Sequence, residues 1–320
     1  MKILYNLKTG ALSSLRSWKG IIINWLVLFI LISLVSLPVR SGFKSMLGSS
    51  MVTELMQDSI NADVITDLLR PFLNMFSALT TGFFLIIILS FFLNAFITGG
   101  LFTILRDSVI EKKASVFFSG AAANFWSFLV IIIINIMIFS LVAGIIIAVP
   151  FVLLSAGKSE SSFMSTGGSF MRIAYIITAL LLPIMLLATD YARAWKADRP
   201  EAGAFSAIGF GFGKTFKSFF TSYPMMLLLV IIQAAFGWLT MSKLLSAKPS
   251  TGGALFLYFI MAQILFIVRL WFRTWRYGSV TAAMQESESK KLNPEYEPDM
   301  TYVTDPEKNV IIQSENNRYD

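Results

Sequence analysis

Asp190 is the only acidic residue inside a stretch of this chain apolar enough to cross a membrane, and Arg269, Arg273 and Arg276 crowd the end of another. A carboxylate held away from water needs a cationic partner, and the planar fork of arginine suits both carboxylates and phosphates. Spacings of 4 and 3 put the three arginines on one helical face. Such a stripe either anchors a span through structural ion pairing or binds lipid headgroup phosphates or another anionic ligand. Asp190 follows Arg172 by 18 residues, and Arg269 follows Gly252 by 17. At ~1.5 Å per residue, both lie roughly 25 Å from the outer ends of their helices. An interhelical Asp190–Arg269 pair is therefore expected, with Arg193 at i+3 as a competitor on the same helix.

Other chemistry is thinly equipped. The 320 residues include no Cys and no His, which removes thiolate nucleophiles, Cys-zinc sites and the commonest general base. One intramembrane acid cannot form an aspartyl dyad. Residues 209–215, GFGFGKT, resemble a phosphate loop, but Ile208 stands where the first glycine is needed and no buried strand precedes it. Small glycines that let an interfacial helix lie close to its neighbours explain the segment better. Asn94, Asn135 and Gln233 fall within apolar stretches, where amides commonly join helices and more rarely line a transport path. No catalytic residue, metal or cofactor is expected.

The elements that carry these residues follow from composition. The chain is 56% hydrophobic and 14% charged, against roughly 45–50% and about 25% for soluble domains. Its mean hydropathy is +0.70. Charge-free runs predict six membrane helices, near 20–38, 78–104, 125–150, 171–194, 221–245 and 252–276. The first run is too long for the apolar region of a signal peptide and is read as a retained span.

Lys and Arg concentrate at alternate span ends: Lys2, Lys8, Arg16 and Lys19; then Arg106, Lys112 and Lys113; then Arg193 to Lys217; then Arg269 to Arg276. This bias predicts both termini in the cytoplasm of a bacterial inner-membrane protein. Six of the seven Trp fall near the predicted inner ends, as an interfacial belt would. Residues 44–70 alternate apolar and acidic positions as an amphipathic helix.

Residues 7–24, 117–134 and 208–225 resemble one another, with Gly10, Gly120 and Gly211 aligned. Each is a short amphipathic stretch that feeds an outward span. The fold class expected is an all-α, polytopic membrane bundle of six transmembrane helices, arranged as three pseudo-repeated hairpins with amphipathic interfacial helices.

Residues 1–284 hold 22 basic and 10 acidic residues, whereas 285–320 hold 4 and 9. The basic surplus thus reports orientation and not a nucleic-acid partner. The chain divides into a membrane domain, 1–284, and an acidic tail, 285–320, expected to be disordered and cytoplasmic.

Two segments carry a family resemblance: GGLFTILRDSVIEKKASVFFSGAAANF, 99–125, and TDYARAWKADRPEAGAFSAIGFGFGKTF, 189–216. In each, a span ends in Arg, a polar turn follows, and a Phe/Gly-rich interfacial helix begins. The layout resembles a group of bacterial six-helix membrane proteins of unknown function. That group includes the membrane domain preceding the catalytic domain in some glycerophosphodiester phosphodiesterases. The resemblance implies the fold and supplies no catalytic residues. The expected role is a non-enzymatic scaffold or binding protein for membrane lipids, or for a membrane or cytoplasmic protein reached through the acidic tail. The alternative is a small-solute or lipid transporter using the Asp190/Arg269 region.

Overall fold

In lipid the backbone has no water to bond, so a spanning chain closes its hydrogen bonds within helices. The computed structural model describes residues 2–48, 84, 86–106, 114–155, 160–246 and 251–292. They form α1 (Lys2–Arg16), α2 (Trp18–Gly48), α3 (Ile86–Ile104), α4 (Ala114–Ser155), α5 (Glu160–Asp198), α6 (Ala204–Lys217), α7 (Phe219–Ser246) and α8 (Gly252–Leu292). Helices α3, α4, α5, α7 and α8 are each long and apolar enough to cross a membrane, making five spans, or six if the bent α1–α2 pair counts as one. The protein is a helical, multi-pass membrane protein.

The chain divides into two units, residues 22–94 and the remainder. The smaller unit holds most of α2 and the start of α3, including Asn94 and a Trp25–Phe29 stack with ring centroids 5.4 Å apart. The larger unit holds the core. Its fully buried side chains include Phe102, Phe117, Phe128, Leu187, Tyr191 and Tyr277. They gather at the end where α3, α5 and α8 carry their basic residues. Towards the other end apolar side chains stay uncovered by protein, as at Ile173, Ile176, Leu255, Phe256 and Leu257. Lipid is as apolar as those side chains, so packing rather than hydrophobic burial decides where spans touch.

Glycine makes the tightest contacts. A Cβ on Gly10 of α1 would strike Ser279 of α8, and one on Gly278 would lie 2.7 Å from the Gly10 carbonyl oxygen. A Cβ on Gly120 of α4 would strike Thr103 of α3, and one on Gly211 of α6 would strike the carbonyl of Ala188 on α5. Helix α1 is tied further by Trp275 Nε1, which donates to the Leu7 carbonyl at 2.8 Å, and by Ser13 Oγ, which donates to the Leu105 carbonyl at 3.3 Å.

The interfacial segments differ from the sequence expectation in one respect. The first and third are separate helices, α1 and α6, broken from their spans at Ser17 and Ser218. The Ser17 amide is shared between the Ser13 and Ser14 carbonyls at 3.0 and 3.2 Å, a tightened last turn. The second segment has no break: α4 runs unbroken for 42 residues. It carries no charge from Ala114 to Gly157, whereas the breaks after α1 and α6 follow Arg16 and Lys217.

Two boundaries also move. Helix α2 continues past 38 to Gly48, while 49–70 of the expected amphipathic helix lie outside the described residues. Helix α8 continues past 276 to Leu292, eight residues into the segment expected as disordered tail. Its extension is held: Asn6 Nδ2 donates to Glu286 Oε2 at 3.1 Å, and Arg199 pairs with Glu288 at 3.0 Å. Residues 293–320 lie outside the described residues.

Candidate functional site

The last turns of α5 and the middle of α8 face each other, and their charged residues meet there. Asp190 is completely buried. Arg276 Nε stands 3.0 Å from its Oδ2, and Arg193 Nη1 stands 3.6 Å from its Oδ1. Among the described residues neither carboxylate oxygen receives an aligned hydrogen bond, and the Nε atoms of Arg193 and Arg276 also lack one. The contacts are thus Coulombic more than directional, which leaves the desolvation of these ions incompletely offset.

Aromatic rings line the cluster. Arg276 lies over the Tyr277 ring at 5.0 Å, Arg273 over the same ring at 5.6 Å, and Arg193 over the Phe128 ring at 6.0 Å. Arg273 Nε donates to Tyr277 Oη at 2.7 Å. Phe102 packs between, with centroids 4.8 Å from Tyr277 and 6.0 Å from Phe128. Such ring faces attract guanidinium groups more strongly once water is excluded.

The expected Asp190–Arg269 pair is replaced by Asp190–Arg276. Arg269 is exposed, seven residues earlier on α8. Seven residues make about two turns, so Arg269 and Arg276 share a face and differ by ~10 Å in depth. Counting residues from span ends therefore found the correct face and missed the level. The two helices do not begin at one height, and α8 extends well past its predicted inner end. Arg193 does compete for Asp190, as its i+3 position suggests.

The amides have separate duties. Asn135 Nδ2 donates back to the Ile131 carbonyl on its own helix at 2.9 Å. Gln233 Nε2 crosses from α7 to the Phe272 carbonyl of α8 at 3.2 Å. Asn94 belongs to the smaller unit.

Other basic side chains of this end are also engaged. Arg106 meets Asp198 at 3.1 Å and donates to the Ala197 carbonyl at 3.0 Å. Lys196 Nζ donates to the Pro200 carbonyl at 2.6 Å. Among the described residues no group of acidic side chains could hold a metal ion.

Two tyrosines escaped the sequence reading. Tyr277 is shared by two arginines, and Tyr191 Oη is 2.7 Å from Ser222 Oγ on α7. A signal for both exists in the chain: Leu101-Phe102-Thr103, Asp190-Tyr191-Ala192 and Arg276-Tyr277-Gly278. The aromatic member of each triplet is fully buried, and the small member meets Gly120, Gly211 or Gly10 in turn. The chain matches no protein-family model, no curated protein and no solved structure in the comparisons made.

Proposed function

We propose that this is a non-catalytic protein of the cytoplasmic (inner) membrane that binds anionic membrane lipid and serves as a scaffold, with both termini in the cytoplasm. The observation that carries this reading is the buried cluster at the basic end of the bundle. Arg193 and Arg276 face the single carboxylate of Asp190, and Arg273 stands alongside. Negative headgroups are the anions most available at that depth. Helices α1 and α6 support the reading. They join basic residues such as Arg16 and Lys217 to large exposed apolar ones, Leu4 at 71% and Phe216 at 67%. That combination suits a membrane interface. The orientation rests on the distribution of Lys and Arg.

We read the bundle as three pseudo-repeated hairpins related by an axis along the membrane normal. In support, each aligned glycine presses on the small residue that follows a buried aromatic of a returning span. This arrangement is similar to the bacterial six-helix membrane domains named above. The transporter reading rests on Asp190, a fully buried carboxylate without an aligned hydrogen bond. The inverted repeats common in carriers are not what the aligned glycines suggest.

Native mass spectrometry of the detergent-purified protein tests the proposal. Retained anionic lipid is the expected result, and a co-purifying protein would favour the scaffold role. A delipidated protein that accumulates a solute in vesicles would overturn the binding role in favour of transport.

A further inference from the structure

We infer that α1 is an exchangeable element: the face of α8 that holds it also accepts α1 of a second copy of this chain, so that two copies join by trading their first helices. The inference deepens the scaffold reading by naming a partner, and it rests on that reading for the use of such a pair. Its first ground is connection. By its contacts α1 belongs to the larger unit, yet the chain joining it to the rest of that unit runs through residues 22–94, a compact unit by itself. The other two glycine-bearing segments are held differently. Gly120 presses on Thr103, and Gly211 on Ala188 and Ala192. In both cases the docking segment follows its receptor helix directly along the chain. A short tether keeps the local concentration of such a segment high and shuts out a rival. Helix α1 has no short tether to α8, and it breaks from α2 at Ser17.

The second ground is the contact itself, which decides what can occupy the face. Asn6 and Leu7 are buried against α8. Trp275 Nε1 donates to the Leu7 carbonyl at 2.8 Å, and Asn6 Nδ2 donates to Glu286 Oε2 at 3.1 Å. A Cβ on Gly10 would strike the Ser279 backbone, and one on Gly278 would lie 2.7 Å from the Gly10 carbonyl oxygen. Backbones approach this closely where neither residue carries a side chain. The occupant must therefore present a glycine, with an asparagine one turn before it. Helix α1 has both, and a second copy supplies the same helix.

The third ground is energy. The closed and exchanged forms contain the same α1–α8 contacts. They differ in the path of residues 17–94 and in their dependence on concentration. Exchange of an identical element is for this reason a low-cost route to a dimer. Trading in both directions leaves neither α8 face bare and gives a pair with two-fold symmetry that stops at two.

The experiment uses the full-length chain, which has no cysteine of its own. Two differently tagged copies, one with Asn6→Cys and the other with Glu286→Cys, are produced in the same cells and treated in membranes with a short bis-maleimide. A chain carrying both cysteines is the reference for the α1–α8 contact. A cross-linked product bearing both tags is expected, its share rising with the amount of protein in the membrane. Leu4→Cys in place of Asn6→Cys should give little of it, although Leu4 is 71% exposed and chance collision would favour it. Gly278→Leu in the Glu286→Cys copy should abolish the product. Gly10→Leu in that copy should raise it, because its own α1 then leaves the α8 face open. The Leu4 comparison keeps the inference testable where a glycine variant fails to fold.

A reference chain that cross-links while no product bears both tags overturns the exchange. So does a product equally abundant with Leu4→Cys, or one indifferent to Gly278→Leu in a chain that still folds. A reference chain that does not cross-link overturns the contact on which the exchange depends. Anionic lipid retained in native mass spectrometry by chains that never exchange overturns the inference and leaves lipid binding standing. Exchanged pairs that retain no lipid do the opposite.

Discussion

At the scale of single residues, Asp190 and Arg276 are held by burial more than by geometry. Removing one partner of a buried pair leaves the other charge stranded, which costs about 3–5 kcal/mol. Asp190→Ala should therefore lower the melting temperature sharply in detergent, whereas Arg269→Ala should change stability by less than about 0.5 kcal/mol, as exposed substitutions do. The exchange Asp190→Arg with Arg276→Asp should recover part of the loss, and the same exchange made with Arg269 should not. If the Arg269 exchange rescued and the Arg276 exchange did not, the pairing described here would be wrong. The sequence contained most of this site. A lone acid in an apolar run and an arginine stripe can be read directly, because charges there are rare. The level at which they meet cannot, because it depends on how far α8 slides along α5. Tyr277 was hidden for a similar reason: in an aromatic-rich chain it looks like any interfacial ring until Arg273 is seen to donate to it.

At the scale of helices, glycine decides which faces touch. Gly211 and Gly213 lie on the same helix, α6, with opposite surroundings. A Cβ at Gly211 would strike the Ala188 carbonyl and come within 2.9 Å of Ala192 Cβ, whereas one at Gly213 would meet nothing within 4 Å. Gly211→Ala should destabilise by about 1–3 kcal/mol through overpacking. Gly213→Ala should stabilise by about 0.5–1 kcal/mol, because alanine loses less backbone freedom on entering a helix. Thermal melts of the two variants under one condition check the contrast, and equal behaviour would remove the case for glycine-mediated docking. The GFGFGKT run was legible as a close-packing segment, since its spacing fails the phosphate-loop pattern. Which of its glycines makes the contact was not, because that depends on a neighbouring helix. The breaks at Ser17 and Ser218 and the continuity of α4 were likewise invisible, since three similar segments differ there only in charge.

At the scale of the molecule, the membrane character was plain from hydropathy, because a span must satisfy a length and a composition at once. The extent of α8 was not. QESESKKL reads as a polar tail, and it is helical where Asn6 and Arg199 receive its glutamates. A chain without cysteine is a ready background for single-cysteine labelling. Gly213, on α6 just before α7, and Gly252, at the start of α8 just after α7, lie on either side of the α7 span, so a membrane-impermeant maleimide should reach Gly213→Cys and Gly252→Cys from opposite faces of an intact cell or vesicle. Labelling of both from one face would contradict a crossing between them.

The docking of α1 on α8 bears on how the chain is made. Asn6 bonds Glu286, and Leu7 accepts from Trp275, so α1 is synthesised well before the helix that holds it. The cost of closing so long a loop grows only slowly with its length, but α1 waits for that partner through the synthesis of α2 to α7. A chain cut before Gly278 would keep most of these spans and still leave the Gly10 face of α1 bare. The union of α1 with α8 is therefore a tertiary step that follows the making of the spans between them and is separate from it.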